Sequence, residues 1–317
     1  MPDFGHDLQF ATFPEPVARP VGAPVDLALL SEQWGYDLVM FQDHPYRPGY
    51  LDAWTLMSWT AARTERIRIA PNVLNMAMRA PAMVAKAAAS LDLLSGGRIE
   101  LGLGAGHFWD EITTMGVQRR TSGQAVDALE EAIDVIRAAW PDGPSVPMGV
   151  EVPGHYHRLA GMRPGPPTAH PMAIWLGAYK PRMLRLTGQK ADGWTALLGG
   201  THGRAHWQSA STVIDEAATE AGRTPADIRR MAGITGQFTA RNGGYLHGPP
   251  EQWVQELLPS ILEDGVGTFV LATDHRPTLQ RFATEVMPAL RAAVTAERQS
   301  TRDLPAGGRP IPATGSS

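Results

Sequence analysis

The sequence of 317 residues contains no cysteine. This absence excludes disulfide bonds, thiolate metal sites and a cysteine nucleophile. The chain also lacks a run of about eighteen uncharged apolar residues, which a membrane-spanning helix requires. Its first ten residues include acidic side chains, where a secretory signal has a cationic start and an apolar centre. We therefore expect a cytoplasmic protein with no membrane partner.

The charge of the chain is low and evenly spread. The formal net charge is −4, and the lysines and arginines are scattered along the sequence. Without a basic field, a nucleic-acid partner is not expected. The hydrophobic fraction of 43% and the charged fraction of 19% are typical of a globular protein that buries a sizeable core.

Short apolar runs alternate with longer helical patterns along the chain. The runs that predict strands are 8–13, 38–41, 67–74, 99–103, 172–178, 194–198, 231–238 and 267–272. The segments that predict helices are 24–35, 51–64, 80–94, 122–140, 181–191, 203–222, 249–264 and 277–296. This alternation of eight strand–helix units favours an α/β fold, a closed (β/α)8 TIM barrel, over an open sheet.

Two segments interrupt this pattern. Residues 141–171, before the fifth predicted strand, contain eight prolines and form a long Pro/Gly-rich insertion. A segment of this length is either a lid over the barrel mouth or a structural loop. His155 and His157 within it have no nearby third ligand, so we expect no metal site there. Residues 299–317 predict a disordered C-terminal tail, which leaves 1–298 as one barrel domain.

Glycines surround the fourth predicted strand. Gly96 and Gly97 are suited to end the preceding helix, and 99–103 is a short apolar strand. Three further glycines remove side chains where the backbone leaves the sheet: Gly102, Gly104 and Gly106. A flat ligand fits against such a bare backbone.

In its order of motifs the chain resembles the luciferase-like monooxygenase superfamily, which comprises flavin and deazaflavin oxidoreductases built on a TIM barrel. The resemblance covers roughly residues 8–290 and implies a flavin-type enzyme. The blocks that carry it are Asp43-His44 after the second strand, Ile69-Ala-Pro-Asn-Val-Leu-Asn75 on the third, Leu94-Ser-Gly-Gly-Arg98 before the fourth, Ile174-Trp-Leu-Gly-Ala-Tyr-Lys-Pro-Arg-Met-Leu184, and Ala191-Asp-Gly-Trp194.

Barrel active sites form at the carboxyl ends of the strands. Asp43, His44 and Tyr46, which follow the second strand, are therefore candidate active-site residues. Imidazole titrates near neutrality, so His44 could exchange a proton with a substrate beside the flavin. Asp43 could orient His44 or bond a flavin edge, and Tyr46 could line the substrate pocket. Read without the resemblance, an Asp-His step is more often a capped turn.

On the third strand, the resemblance implies a non-proline cis peptide between Asn72 and Val73, in a bulge that backs the flavin's central ring. The alternative is a regular buried strand. The resemblance also makes Asn75 part of the cofactor site.

After the fourth strand, Gly104, Gly106, His107 and Asp110 are candidate cofactor contacts, with His107 also a catalytic candidate. Phe108 and Trp109 could wall the substrate pocket or belong to the core. Deazaflavin sugar-phosphate and alcohol dehydrogenases of the family carry a glutamate where His107 stands. This departure counts against those dehydrogenations.

After the fifth strand, a proline suited to the first turn of a helix predicts a phosphate site. The candidate contacts are Gly177, Ala178, Tyr179, Lys180 and Arg182. A glycine turn with no ligand is the alternative. FMN-using relatives often place serines in this loop, whereas deazaflavin users rely on glycine and backbone, which this loop resembles more.

The resemblance therefore implies F420-dependent hydride transfer to or from a small organic substrate, with FMN and O2-dependent monooxygenation as the alternative. Relatives are often homodimers. Two other functions remain open. Asp43, Asp110 and Glu111 could supply the carboxylate pair of a glycoside hydrolase, and a flavin carrier without turnover would have the same fold.

Overall fold

The computed structural model describes residues 3–141, 149–199 and 203–303. Its strands are β1 (Gln9–Thr12), β2 (Leu38–Phe41), β3 (Arg68–Pro71), β4 (Leu74–Asn75), β5 (Leu101–Gly104), β6 (Val150–Val152), β7 (Leu159–Met162), β8 (Ile174–Gly177), β9 (Gly193–Leu197), β10 (Arg229–Ile234), β11 (Gln237–Phe238), β12 (His247–Gly248) and β13 (Val266–Leu271). Its helices are α1 (Ala23–Trp34), α2 (Ala53–Ala61), α3 (Pro81–Ser95), α4 (Trp109–Thr114), α5 (Ser122–Ala139), α6 (Pro181–Lys190), α7 (Arg204–Glu220), α8 (Pro250–Leu262), α9 (Arg276–Arg281) and α10 (Met287–Asp303).

Nine of these strands form one parallel sheet in the order β3-β2-β1-β13-β10-β9-β8-β5-β4. Strands β3 and β4 are two parts of the third barrel strand, separated by Asn72 and Val73. Two hydrogen bonds close the circle: Ile69 N donates to Arg98 O at 2.8 Å, and Glu100 N donates to Ile69 O at 3.1 Å. The fold is the (β/α)8 barrel that the sequence predicts.

Two buried clusters fill the barrel and the space around it. The larger one joins the helices to the outer faces of the strands. On α5 it takes up Val126, Leu129, Ile133 and Ile136, the residues spaced three and four apart. The smaller cluster draws on six barrel strands and therefore lies inside the barrel: Ala11, Leu38, Met40, Ala70, Trp175, Met231 and Val270. The interior is thus a packed core, and ligands bind at its ends.

The described part of the Pro/Gly-rich insertion forms an antiparallel hairpin of β6 and β7. Glu131 on α5 accepts hydrogen bonds from three consecutive backbone N–H groups of the hairpin turn, at 155–157. Nearby, the Arg120 guanidinium lies 5.0 Å from the Tyr156 ring centre. Past the hairpin, Lys86 Nζ on α3 donates to Gly165 O. The hairpin therefore packs along the side of the barrel, as the structural-loop alternative expects, and the lid interpretation is wrong for it. Residues 142–148 lie outside the described residues.

Three further boundaries differ from the sequence prediction. The third predicted strand, 67–74, is interrupted at Asn72 and Val73, and the seventh, 231–238, divides after Ile234 into β10 and β11. The last helix continues to Asp303, so the predicted start of a tail at 299 is wrong by five residues. Residues 304–317 lie outside the described residues. Among the helices that the structure describes, none is long and apolar enough to cross a bilayer.

Candidate functional site

The predicted site residues meet at one end of the barrel. The register pairs Phe41 with Pro71, Asn75 with Gly104, and Gly177 with Thr195. The carboxyl ends of β2, β4, β5 and β8 therefore lie side by side. Asp43, His44, Asn72, His107 and Gly177 follow or end these strands, so they lie at the same edge, as predicted.

Val73 lies beside the glycines that end β5 and β8. The peptide between Asn72 and Val73 is cis, as the resemblance implies. Asn72 is held on both sides, because its N–H donates to Phe41 O at 2.7 Å and its Oδ1 accepts from Thr195 Oγ1 at 3.2 Å. The methyl groups of Val73 lie 2.6 Å from the position of a Cβ on Gly104 and 3.3 Å from that of a Cβ on Gly177. The two glycines leave the space that Val73 occupies.

Asp43 is buried and has structural partners. Its Oδ2 accepts from Asn75 N at 2.9 Å, and its Oδ1 accepts from Arg79 at 3.0 Å. Arg79 also donates to Asp52, the N-cap residue of α2. These bonds to Arg79 and to Asn75 occupy both Asp43 oxygens. The structure shows no hydrogen bond between Asp43 and His44, and Asp43 instead ties the loop that carries His44 to the one that carries Asn75.

His44 is half-buried, and its Nδ1 lies 2.6 Å from the Tyr46 hydroxyl. Burial, and secondarily the positive charge of Arg47, lower the pKa of His44 below the usual 6.5. Its imidazole is therefore neutral at pH 7. Burial raises the pKa of Tyr46 to about 12, so its phenol is protonated at pH 7.

The residues after β5 differ in whether they contact His44. Phe108 joins His44, because its ring centre lies 5.5 Å from that of His44 and 6.2 Å from that of Tyr46. His107 is exposed and stacks edge-on against Phe108 at 4.9 Å. Trp109, the other predicted pocket residue, is half-buried at the start of α4. The Asp110 side chain is 91% exposed and pairs with Arg119, so it does not reach the group around His44 and Phe108.

The loop for which a phosphate site is predicted leads directly into a helix. Helix α6 begins with Pro181, and its N-cap residue Lys180 is exposed and makes no side-chain cap. The first N–H groups of a helix have no partner inside the helix, so they are available to an anion. Arg182, however, pairs with Asp127 on α5 and donates to Gly123 O at 3.0 Å. Its role as a phosphate contact therefore stays a prediction, which would require Arg182 to leave Asp127.

The other two residues of this loop contact the next strand. The Ala178 carbonyl accepts from Trp194 Nε1 at 2.9 Å, and the Tyr179 hydroxyl accepts from Leu197 N at 3.0 Å. The loop after β8 is thus fixed against β9 while its backbone stays at the mouth.

A cavity of about 610 Å3 lies on the other half of the mouth, between the loops that follow β10 and β13. The Phe238 ring in its wall stacks on Trp253 at 4.6 Å. Its polar lining includes Gln237, His247, Thr273, His275 and Arg281. Sequence reasoning missed these residues because they form no motif. Their position after the seventh and eighth strands was the one signal that could have indicated them.

Of the carboxylates named for the hydrolase alternative, Asp43 is paired with Arg79 and Asp110 with Arg119. Within the described ranges no three His, Asp or Glu side chains are arranged to hold a metal ion.

The model of a family described as luciferase-like monooxygenase matches residues 3–241. The chain belongs to this luciferase-like family. It is 31% identical over 232 residues to the F420-dependent glucose-6-phosphate dehydrogenase of Intrasporangium calvum, across 70% of this chain and 67% of that protein. It is also 31% identical over 215 residues to the enzyme of the same name from Kribbella flavida, across 65% of this chain and 62% of that protein. The matches thus span about two thirds of the length of these relatives.

Solved luciferase-like structures share the fold. An F420-dependent secondary alcohol dehydrogenase in complex with an F420-acetone adduct superposes with a TM-score of 0.76 at 20% identity, over 90% of this chain and 99% of that one. A long-chain alkane monooxygenase superposes with a TM-score of 0.75 at 15% identity, over 91% and 92%. The fold is therefore common to dehydrogenases and monooxygenases and does not separate them.

Proposed function

We propose that this luciferase-like enzyme uses the deazaflavin F420 and transfers hydride to or from a small organic substrate. The observation that carries the proposal is the 31% identity to two enzymes named as F420-dependent. The chain spans only part of their length, and His107 stands where the resemblance implies a glutamate. Their sugar-phosphate substrate is therefore not part of the proposal.

The residues at the mouth fit such a coenzyme. Gly104 and Gly177 leave a space that a Cβ would fill, and the Val73 side chain occupies that space. Half-buried Val73 would then offer an apolar surface on which a flat ring can lie. The backbone from Gly177 and the start of α6, with exposed Lys180, would hold the phosphate. When bound, the deazaflavin supplies a two-electron hydride donor or acceptor.

His44 would supply the proton. It is the half-buried imidazole beside the predicted ring site, and burial lowers its pKa below the usual 6.5. The cavity between the loops after β10 and β13 lies on the other half of the mouth and would receive the substrate. Phe108, packed on His44, would separate the reacting atoms from water.

The experiment that tests this function combines the purified chain with reduced F420 and a panel of ketones and aldehydes, with oxygen monitored. We expect oxidation of F420 that depends on one class of carbonyl compound and consumes no oxygen. Reduced FMN with oxygen consumption and no F420 oxidation would instead support the monooxygenase. His44→Asn should bind F420 as the parent does but turn over about 10²–10⁴-fold more slowly.

We also propose that the protein is a homodimer joined through α2 and α3. Large apolar side chains are exposed on these neighbouring helices: Trp59 at 61%, Met83 at 67% and Leu94 at 85%. Met83 and Leu94 are eleven residues apart, which places them on one face of α3. Sedimentation should give a dimer for the parent and a monomer for Leu94→Glu; a monomeric parent would contradict the assembly.

A further inference from the structure

Tyr46 makes the shortest polar contact of His44. Its hydroxyl lies 2.6 Å from His44 Nδ1, within the range of a strong hydrogen bond. The two rings are 5.5 Å apart, and Phe108 packs against both of them. The three rings therefore hold one another at the mouth of the barrel.

The neighbouring carboxylate does not compete for this nitrogen. Asp43 precedes His44 in the chain, but Arg79 and the Asn75 N–H occupy its oxygens. The other charged groups that act on His44 are Arg47 and Glu111. Arg47 lies over the Tyr50 and Phe108 rings, at 5.3 and 5.9 Å. The directional hydrogen bond of the imidazole is the one between Nδ1 and the Tyr46 hydroxyl.

We infer that Tyr46 is the positioning residue for His44: its hydroxyl holds Nδ1, so that Nε2 carries the exchangeable proton toward the substrate. This inference rests on the proposed role of His44 in proton transfer. It gives Tyr46, rather than Asp43, the role of orienting the imidazole.

The chemistry of the pair supports this orientation. A neutral imidazole has one N–H and one acceptor nitrogen, and its partner decides which nitrogen carries the hydrogen. The Tyr46 phenol stays protonated, because burial raises its pKa to about 12, and its oxygen can accept from Nδ1–H. Nε2 is then the acceptor nitrogen of the neutral ring, and when Nε2 takes up a proton the same contact persists, with Nδ1–H still donating to the phenol oxygen. The ring therefore keeps its direction in both protonation states.

The first test is the tautomer of His44, read by nitrogen NMR of the imidazole in the protein without coenzyme. We expect Nδ1 protonated and hydrogen-bonded and Nε2 unprotonated in the neutral parent. In Tyr46→Phe, which keeps the ring and removes the hydroxyl, the Nδ1 resonance should shift toward an average of two tautomers. Nδ1 unprotonated in the neutral parent, or an unchanged spectrum in the variant, would overturn the inference.

The second test is kinetic. With a substrate found as above, Tyr46→Phe should lower kcat about 10-fold, a part of the ~10²-fold or greater effect of losing the acid–base group, while KM and the Kd for F420 change less than about 2-fold. In the His44→Asn background the same substitution should have no further effect on kcat, because the group that it positions is absent. A kcat equal to that of the parent, or additive losses in the double variant, would contradict it.

Tyr50→Phe is the matched control. The Tyr50 hydroxyl contacts Arg47 and Glu15 and not His44. This variant should keep the parental His44 spectrum and kcat. The NMR result does not depend on the coenzyme, so it separates a failure of this inference from a failure of the F420 assignment.

Discussion

The methyl carbon Cγ2 of Val73 lies 2.6 Å from the position that a Cβ atom on Gly104 would occupy. Real Cβ atoms do not approach other atoms so closely, so only glycine at 104 allows Val73 its present place. At Gly177 the corresponding distance is 3.3 Å, and Val73 would need to move by only a few tenths of an ångström. The two glycines thus differ in how strictly they are required.

We predict that Gly104→Ala costs about 1–3 kcal/mol of stability, as overpacking in a core does, and weakens coenzyme binding more than Gly177→Ala. Denaturant unfolding and a coenzyme titration measure the two effects. Val73→Ala removes the clashing methyl groups, so the double variant Gly104→Ala/Val73→Ala should regain part of the stability. If the double variant is no more stable than Gly104→Ala, the contact with Val73 is not the cause.

Asp43→Ala should destabilise the fold by about 1–3 kcal/mol, because it leaves a buried N–H of Asn75 unpaired and removes one partner of Arg79. Urea unfolding measures this change. Asp110→Ala is the control, since the 91% exposed Asp110 pairs with Arg119 at the surface and should contribute less than about 0.5 kcal/mol. Equal stability of the Asp43 variant and the parent would refute the structural role.

Much of the fold follows from the sequence, because strand–helix alternation and barrel closure depend on local pattern. The cis peptide between Asn72 and Val73 was implied by the resemblance, whereas the apolar pattern predicted an uninterrupted strand over 67–74. Long-range pairing could not be predicted: Asp43 and Arg79 are 36 residues apart, and Arg182 and Asp127 are 55 apart. A guanidinium near a phosphate loop looks the same in sequence whether it is free or already paired. The cytoplasmic location and the disordered tail remain predictions.

The two cations at the predicted phosphate loop differ in their contacts: Lys180 is exposed and makes no side-chain cap, whereas Arg182 pairs with Asp127. Lys180→Gln should lower the affinity for the coenzyme about 2- to 5-fold, the effect of ~0.3–1 kcal/mol for a charge at a helix end, and should reduce its salt dependence. Arg182→Gln should have a smaller effect, because Asp127 already binds that guanidinium. Titrations at low and high salt compare the two variants, and a larger loss in Arg182→Gln would show that it leaves Asp127 for the phosphate.

The pKa of His44 should rise when Arg47 is replaced by glutamine. Burial is the larger cause of the lowered pKa, and the positive charge of Arg47 is the next largest. Removing that charge therefore makes protonation of His44 easier while the ring stays half-buried. NMR titration of His44 should give a pKa below 6.5 in the parent and a higher value in Arg47→Gln. Because the folded pKa is the lowered one, this group's contribution to stability is present above pH 6.5 and is lost as the pH falls through the folded pKa. Replacement of the exposed Arg63 by glutamine should leave the pKa unchanged; a fall of the pKa in Arg47→Gln would contradict the assignment.

The central claim is that this barrel mouth binds a deazaflavin, and a binding titration tests it most directly. The parent is titrated by fluorescence with F420 and with FMN, in parallel with Gly104→Ala and His44→Asn. The two variants distinguish the glycine that shapes the predicted ring site from the proposed proton donor. We predict saturable binding of F420 that is tighter than that of FMN, weakened in Gly104→Ala and unchanged in His44→Asn. No saturable binding of F420, or tighter binding of FMN, would contradict the account.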